Sequence, residues 1–300
     1  MSPAAPSGEQ IELAAGDQKA VVVEVGGGLR TYAAAGRDLL FGYGRYELCA
    51  SGRGQVLAPW PNRLEDGSYE FDGRRHELPL DEPERRNAIH GLVRWAAWRV
   101  KERGPSRVTL EHVLHPRPGY PFSLALELEY TLSSDGLTVE TRATNVGSDP
   151  CPFGAGAHPY LRVAESADDV VLTVPAGRVL SNDERGLPAG IQEVEGTQLD
   201  FRRPRPIGAE KIDNTFTGLD RDGDGRARVE LTGPSGAATV WADGAYPWVQ
   251  VFTGDLPDVR REGVAVEPMT CPANAFRTGE SLIRLEPGAS FTGSWGITPG

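Results

Sequence analysis

The run Ser123-Leu124-Ala125-Leu126-Glu127-Leu128-Glu129-Tyr130-Thr131-Leu132 alternates along its whole length. Successive side chains of a strand point to opposite faces. Leu124, Leu126, Leu128, Tyr130 and Leu132 therefore share one face, and Ser123, Ala125, Glu127, Glu129 and Thr131 share the other. The pattern predicts a half-buried strand with one wetted side. Asp135-Gly136 follows, and Leu137 to Thr141 resumes the extended pattern. The two runs predict a hairpin closed by a tight turn.

The same signal recurs on both sides of this hairpin. Strands are expected over Ala20 to Val25, Trp98 to Arg103, Arg107 to His112, Val170 to Val174, Ala238 to Trp241, Trp248 to Phe252 and Phe291 to Gly296. Breaks fall at Asp66-Gly67, Asp72-Gly73 and Asp243-Gly244. No window of twelve or more residues carries a helical stripe. The chain has 37 glycines and 24 prolines, which punctuate it too often for long helices. Short strands between such turns predict an all-β sandwich or barrel. With no compositional break and no internal repeat, residues 1–300 are expected to form one domain. Residues 1–18 are expected to be a flexible N-terminus or an edge strand.

Three hundred residues suffice to bury about three quarters of the unfolded chain's surface. The formal net charge of −11 argues against nucleic acid or an anionic membrane as partner. The first ten residues have neither a basic stretch nor an apolar core, and no run is long enough to span a bilayer. Cys49, Cys151 and Cys271 are odd in number, widely spaced and in no metal-ligand pattern. Free thiols in a reducing cytoplasm are expected. The oligomeric expectation is a monomer or a homodimer.

Several segments depart from the strand-and-turn pattern. Leu57-Ala58-Pro59-Trp60-Pro61-Asn62-Arg63 is stiffened by its prolines. Asn62 and Arg63 offer donors to hydroxyl oxygens, and Trp60 a ring for the C–H face of a sugar. A rigid loop with a surface arginine is the plainer alternative. Asn87-Ala88-Ile89-His90-Gly91-Leu92-Val93-Arg94 sets His90 before a glycine that permits a sharp turn. A hydrogen-bonded structural histidine is the plainer alternative. In Gly154-Ala155-Gly156-Ala157-His158-Pro159-Tyr160 the small residues are expected either to leave an opening beside the imidazole or to pack the strand under a neighbouring sheet. Val264-Ala265-Val266-Glu267-Pro268 ends an apolar run on a carboxylate that must reach solvent or serve a site. Both His158 and Glu267 precede proline, which disfavours the α region and holds each on extended backbone. An acid and a base so placed suit proton transfer at two points of one substrate. Asp213, in Lys211-Ile212-Asp213-Asn214-Thr215-Phe216, is either a hydroxyl acceptor or turn chemistry. Asp220-Arg221-Asp222-Gly223-Asp224-Gly225 imitates the start of a calcium loop. Its twelfth position is Leu231 rather than glutamate, so a tight hairpin turn is expected and no metal.

Taken in order, Asn62-Arg63, His90-Gly91, His158-Pro159-Tyr160, Asp213-Asn214-Thr215-Phe216 and Glu267-Pro268 resemble the aldose 1-epimerase (galactose mutarotase) family, from about residue 20 to residue 296. The resemblance implies a large antiparallel β-supersandwich and an isomerase that interconverts the α and β anomers of a sugar. It implies that Glu267 is the general base on the anomeric hydroxyl and His158 the general acid on the ring oxygen. Arg63, His90, Asp213 and Asn62 are implied to bind substrate. Ring opening involves no redox step and no activated group, so no cofactor is expected. Histidine near its ordinary ~6.5 donates a proton at neutral pH and glutamate near ~4.3 is ionised there.

The chain departs from the better-known mutarotases after Glu267, in Met269-Thr270-Cys271-Pro272, and after His90, in Gly91-Leu92-Val93-Arg94. The second departure is similar to hexose-6-phosphate 1-epimerases. Arg94, with Arg63, Arg85 or Arg86, would then hold a phosphate. A non-catalytic sugar-binding domain on the same fold is the alternative from another class, since fold does not fix function. Such a domain is expected to have lost the acid or the base, and both residues are present.

Overall fold

The computed structural model describes residues 3–300. The leucine-rich hairpin forms as expected. Leu124–Ser133 pairs antiparallel with Gly136–Asn145, and Ser133 faces Gly136 at the turn. Leu124, Leu126, Leu128, Tyr130 and Leu132 are all buried, while their neighbours are half-buried or exposed. Each such side chain contributes about 1.5–3 kcal/mol by leaving water.

This hairpin lies inside a nine-stranded antiparallel sheet. The order is Arg99–Arg103, Arg107–Leu114, Leu124–Ser133, Gly136–Asn145, Ser290–Pro299, Gly236–Ala242, Ala227–Gly233, Val171–Thr173 and Arg205–Pro206. An eight-stranded sheet includes Pro188–Glu193, Ala176–Asn182, Asp213–Leu219, Trp248–Phe252, Val264–Met269, Gly156–Ala157 and Val56–Leu57. Tyr160–Leu161 also pairs with Val264–Met269. Four strands at the N-terminus make a third sheet, in which Gln10–Ala15 and Arg37–Asp38 are the two edges. Side chains from all three sheets join one continuous apolar core. The whole is the antiparallel β-supersandwich that the resemblance implies. Among the described residues, the only α-helix is Ala275–Thr278.

Three expectations are corrected. Asp220 to Gly225 does turn tightly, through hydrogen bonds from Gly225 N to Asp222 O (2.8 Å) and Asp222 N to Arg226 O (2.9 Å). It is not a hairpin, because it carries the chain from Asp213–Leu219 in one large sheet to Ala227–Gly233 in the other. Its Asp222 and Asp224 carboxylates are engaged by Arg228. Trp60 does not face a ligand. It is buried and packs on Phe276, with ring centroids 5.4 Å apart. The small residues before His158 leave no opening. A Cβ on Gly154 would lie 2.5 Å from Cys271 Sγ, and one on Gly156 2.9 Å from Pro61 Cβ. They let the strand pack closely, which is the alternative reading of that segment. Cys49, Cys151 and Cys271 are buried free thiols.

Candidate active site

The strand Val264–Met269 explains how a carboxylate comes to be buried. Val264 and Val266 face the core between the sheets. Period-two alternation turns Glu267 to the other side of the same sheet. Glu267 lies within the strand rather than at its end, and only 2% of it is exposed. Cross-strand pairing sets Gln250 beside Glu267 and Thr215 beside Gln250. Asp213, two residues before Thr215, shares that face. One sheet surface thus presents Asp213, Thr215, Gln250 and Glu267 as a polar row.

Other segments close the site from around this row. His158 sits between Gly156–Ala157 and Tyr160–Leu161, and its imidazole stacks on Tyr160 with centroids 5.0 Å apart. Asn62 and His90 hold each other. Asn62 N donates to His90 Nδ1 (3.1 Å) and His90 N donates to Asn62 O (2.9 Å). Both residues have left-handed backbone, with φ of 55° and 61°. The Asn62 side chain serves this turn by accepting from Arg63 N (2.8 Å). Because His90 Nδ1 accepts, neutral His90 carries its hydrogen on Nε2. Arg63 is clamped by Glu82, donating from Nε (2.9 Å) and Nη2 (3.1 Å), with its Nη1 3.9 Å from Asp213 Oδ2.

All six residues singled out in the sequence, Asn62, Arg63, His90, His158, Asp213 and Glu267, line one cavity of about 670 Å³. His158 Nε2 lies 3.3 Å from Glu267 Oε1. Glu267 Oε2 and His158 Nδ1 are buried with no hydrogen-bond partner in the protein. An unpaired buried polar atom costs about 1–3 kcal/mol, so such atoms usually await a partner. The His90 and His158 rings meet edge to face at 5.3 Å.

The electrostatics correct the expectation of ordinary pKa values. Burial pushes the Glu267 carboxyl well above the ordinary carboxylate range; the Asp213 charge adds to the rise and Arg63 opposes it. Burial pushes His158 down to about 3; its own backbone opposes this, and Arg94 and Arg63 add to it. His90 is pushed well below the ordinary range by burial, then by His158, Arg94 and Arg63. Desolvation therefore makes Glu267 a stronger base when ionised and His158 a stronger acid when protonated.

Arg94 also lines the cavity, but it donates to Asp81 Oδ2 (2.7 Å) and to Ile89 O (3.2 Å). Arg86 pairs with Asp66 at 3.2 Å. Arg63, Arg94 and Arg86 are thus already matched to carboxylates. A phosphate at Arg63 and Arg94 would share them with Glu82 and Asp81, and Arg85, which also lines the cavity, lies 3.9 Å from Glu82.

A model of the family described as aldose 1-epimerase matches residues 9–298. The chain belongs to the aldose 1-epimerase family. It is similar to YihR of Escherichia coli K12, described as an uncharacterized protein. The two are 38% identical over 284 residues, 94% of this chain and 90% of YihR. Human galactose mutarotase is 29% identical over 232 residues, 70% of this chain and 64% of its own length. Among solved structures, an aldose epimerase homologue from C. elegans superposes with a TM-score of 0.86 at 19% identity, covering 97% of this chain and 98% of that one. A galactose 1-epimerase from Lactobacillus acidophilus gives 0.78 at 22%, covering 95% and 92%. At those identities the two structures speak to the fold of this epimerase-family chain alone.

Sequence reasoning missed three parts of the site. Gln250 donates from Nε2 to Asp213 Oδ1 (2.6 Å) and accepts from the Thr215 hydroxyl. Its signal was a lone amide inside the apolar run Trp248–Phe252. Tyr160, the ring under His158, was quoted for the motif without a role. Gly52 lies against the imidazole, where an added Cβ would be 2.9 Å from His158 Cδ2. Nothing in the residues around Gly52 points to that contact.

Proposed function

We propose that this member of the family is an aldose 1-epimerase acting on a free hexose or a closely related aldose. The observation that carries the reading is the His158–Glu267 pair, in contact at the floor of one cavity with an unpartnered carboxylate oxygen. A hemiacetal's ring oxygen and anomeric hydroxyl share one carbon, so an acid and a base that serve both must be neighbours.

In the proposed reaction the Glu267 carboxylate takes the proton from the anomeric hydroxyl. The electron pair of that O–H bond becomes the carbonyl π bond, the C1–O5 bond breaks, and His158 protonates O5. Rotation about C1–C2 and the reverse transfers close the ring as the other anomer. The reacting form is carboxylate and imidazolium, and ring opening leaves carboxylic acid and imidazole. Burial favours that neutral pair, so it is the resting form, and the single proton the pair holds passes from Glu267 to His158, 3.3 Å away, before the ring opens. His90, neutral with Nε2–H, acts as a hydroxyl donor, and Arg63 and Asp213 orient the ring. Each acid–base group of this kind contributes about 10²–10⁴-fold.

Anomer exchange measured by NMR over a panel of free aldoses and their 6-phosphates tests the reading. Acceleration of at least one free aldose is expected, with no gain from phosphate. No acceleration on any sugar would refute it. A strong preference for phosphorylated hexoses that Arg94→Ala abolishes would favour the phosphate reading instead. Sugar binding without exchange would favour a non-catalytic domain.

A further inference from the structure

Arg63 is backed by a second support besides Glu82. A Cβ on Gly186 would stand 2.7 Å from Arg63 Nη1, 2.9 Å from Cζ and 3.0 Å from Nε. Three nearly equal distances set the Gly186 backbone over the flat of the guanidinium, where only a glycine fits. Gly186 belongs to the turn that joins Ala176–Asn182 to Pro188–Glu193 at the edge of the eight-stranded sheet. Asp183 knits that turn, its Oδ1 accepting from Arg185 N (2.8 Å) and Leu187 N (2.9 Å). Arg185 fastens the turn to the segment after Glu82, donating from Nε to Arg85 O (2.9 Å) and from Nη2 to Arg86 O (2.9 Å). Asn87 is fully buried and joins the two supports of Arg63. Its Nδ2 donates to Glu82 Oε2 (2.9 Å), which grips the guanidinium edge, and to Arg185 O (3.0 Å), one residue before Gly186. Nε and Nη2 of Arg63 are engaged by Glu82, so Nη1 is the nitrogen left for a ligand in the cavity.

We propose that Gly186 and Asn87 are positioning residues for substrate binding, which fix the Arg63 guanidinium so that Nη1 is presented to a sugar hydroxyl. The inference rests on the role given above to Arg63 in orienting the ring. A guanidinium gripped by a carboxylate along one edge still pivots about that edge. Backbone laid over its flat stops the pivot, and Asn87 keeps the two supports in register. Freedom removed before the sugar arrives need not be lost on binding, which favours affinity. An added carbon at Gly186 would force the guanidinium to shift by roughly half to one ångström to regain ordinary contact.

The test is an NMR titration of the whole protein with the aldose that binds best in a panel, giving Kd, with anomer exchange measured on the same samples. Gly186→Ala is expected to weaken binding about three- to tenfold, part of the ~10-fold or more that a hydrogen bond from a charged group contributes. Gly196→Ala is the control, since Gly196 shares the φ of +74° and nothing lies within 4 Å of the added carbon. It brings the same backbone strain and is expected to leave Kd at the wild-type value. Asn87→Asp, of the same size but without the Nδ2 donor, is expected to weaken binding as Gly186→Ala does. On an Arg63→Ala background either substitution should change Kd by less than about twofold, because its effect passes through the guanidinium. An unchanged Kd in Gly186→Ala, an equal loss in Gly196→Ala, or an undiminished loss on the Arg63→Ala background overturns the positioning role. Weaker binding in Gly186→Ala with no exchange in the wild type sinks the epimerase and leaves the positioning role standing. Exchange in the wild type with a Kd that Gly186→Ala does not move does the reverse. Absence of binding by every sugar overturns both.

Discussion

Replacing Gly52 with alanine tests whether the position of the His158 imidazole matters. A Cβ there would lie 2.9 Å from His158 Cδ2 and 3.3 Å from Cγ and Nε2. Carbon atoms in contact settle at about 3.5–4.0 Å, so the ring must retreat by roughly half to one ångström. It is stacked on Tyr160 and lies 3.3 Å from Glu267, so the retreat changes the acid–base spacing. A displacement of ~1 Å costs about 10²-fold in rate, and kcat/KM is expected to fall about 10- to 100-fold. Gly52 also has a φ of +72°, where a Cβ costs about 1–2 kcal/mol. That predicts a Tm lower by about 2–3 °C for a chain of this size. Gly73→Ala is the control. Its φ is +71° but nothing lies within 4 Å of the added carbon. It should lower Tm similarly and leave kcat/KM at the wild-type value. The assay is NMR anomer exchange on the best aldose of the panel. Wild-type activity in Gly52→Ala, or an equal loss in Gly73→Ala, would refute the reasoning.

The pH profile of kcat/KM follows from the buried pair. The pair takes up a second proton only as the pH falls toward the His158 value of about 3, and loses its last as the pH rises through the raised Glu267 value. Activity should therefore persist down to about pH 4 wherever the fold is intact. An acid limb centred near ~6.5 or ~4.3, the ordinary histidine and glutamate values, would contradict this. Stability carries the same signature. With its folded pKa raised, Glu267 contributes fully below the unfolded value of about 4.3, and the contribution is lost as the pH rises through the folded one. The Tm of Glu267→Gln minus that of the wild type should grow between pH 5 and pH 8, and a constant difference would count against it. Arg63→Ala leaves the Glu82 carboxylate, 12% exposed, without its bidentate partner. A loss of about 3 kcal/mol in urea denaturation is expected, partly recovered by adding Glu82→Gln. Additive losses would argue against the coupling.

Sequence pattern was most informative where one face of a strand is wet. Leu124 to Leu132 alternates because a sheet with one solvated side imposes that period, and the turn at Asp135-Gly136 is set by local chemistry. The site was legible as residue types in order, because Arg63, His90, His158, Asp213 and Glu267 stand in matching contexts. Their convergence was not legible, since pairings such as Gln250 with Glu267 join segments whose registers no local signal specifies. Gln250 itself was hidden in a strand buried on both faces, where alternation disappears. Trp60 misled because an amphipathic ring suits a sugar face and an apolar core equally, and Phe276 claimed it. The protonation of His158 and Glu267 was not readable at all, because desolvation is a property of the folded surroundings.

The central claim is that Glu267 and His158 act as one proton-transfer unit. The most direct test is kcat/KM for anomer exchange in the wild type, Glu267→Gln, His158→Asn and the double variant. Each single substitution should cost at least about 10²-fold, and the double no more than the worse single, as for groups that act together. Single variants within twofold of wild type, or losses that multiply in the double, would contradict it.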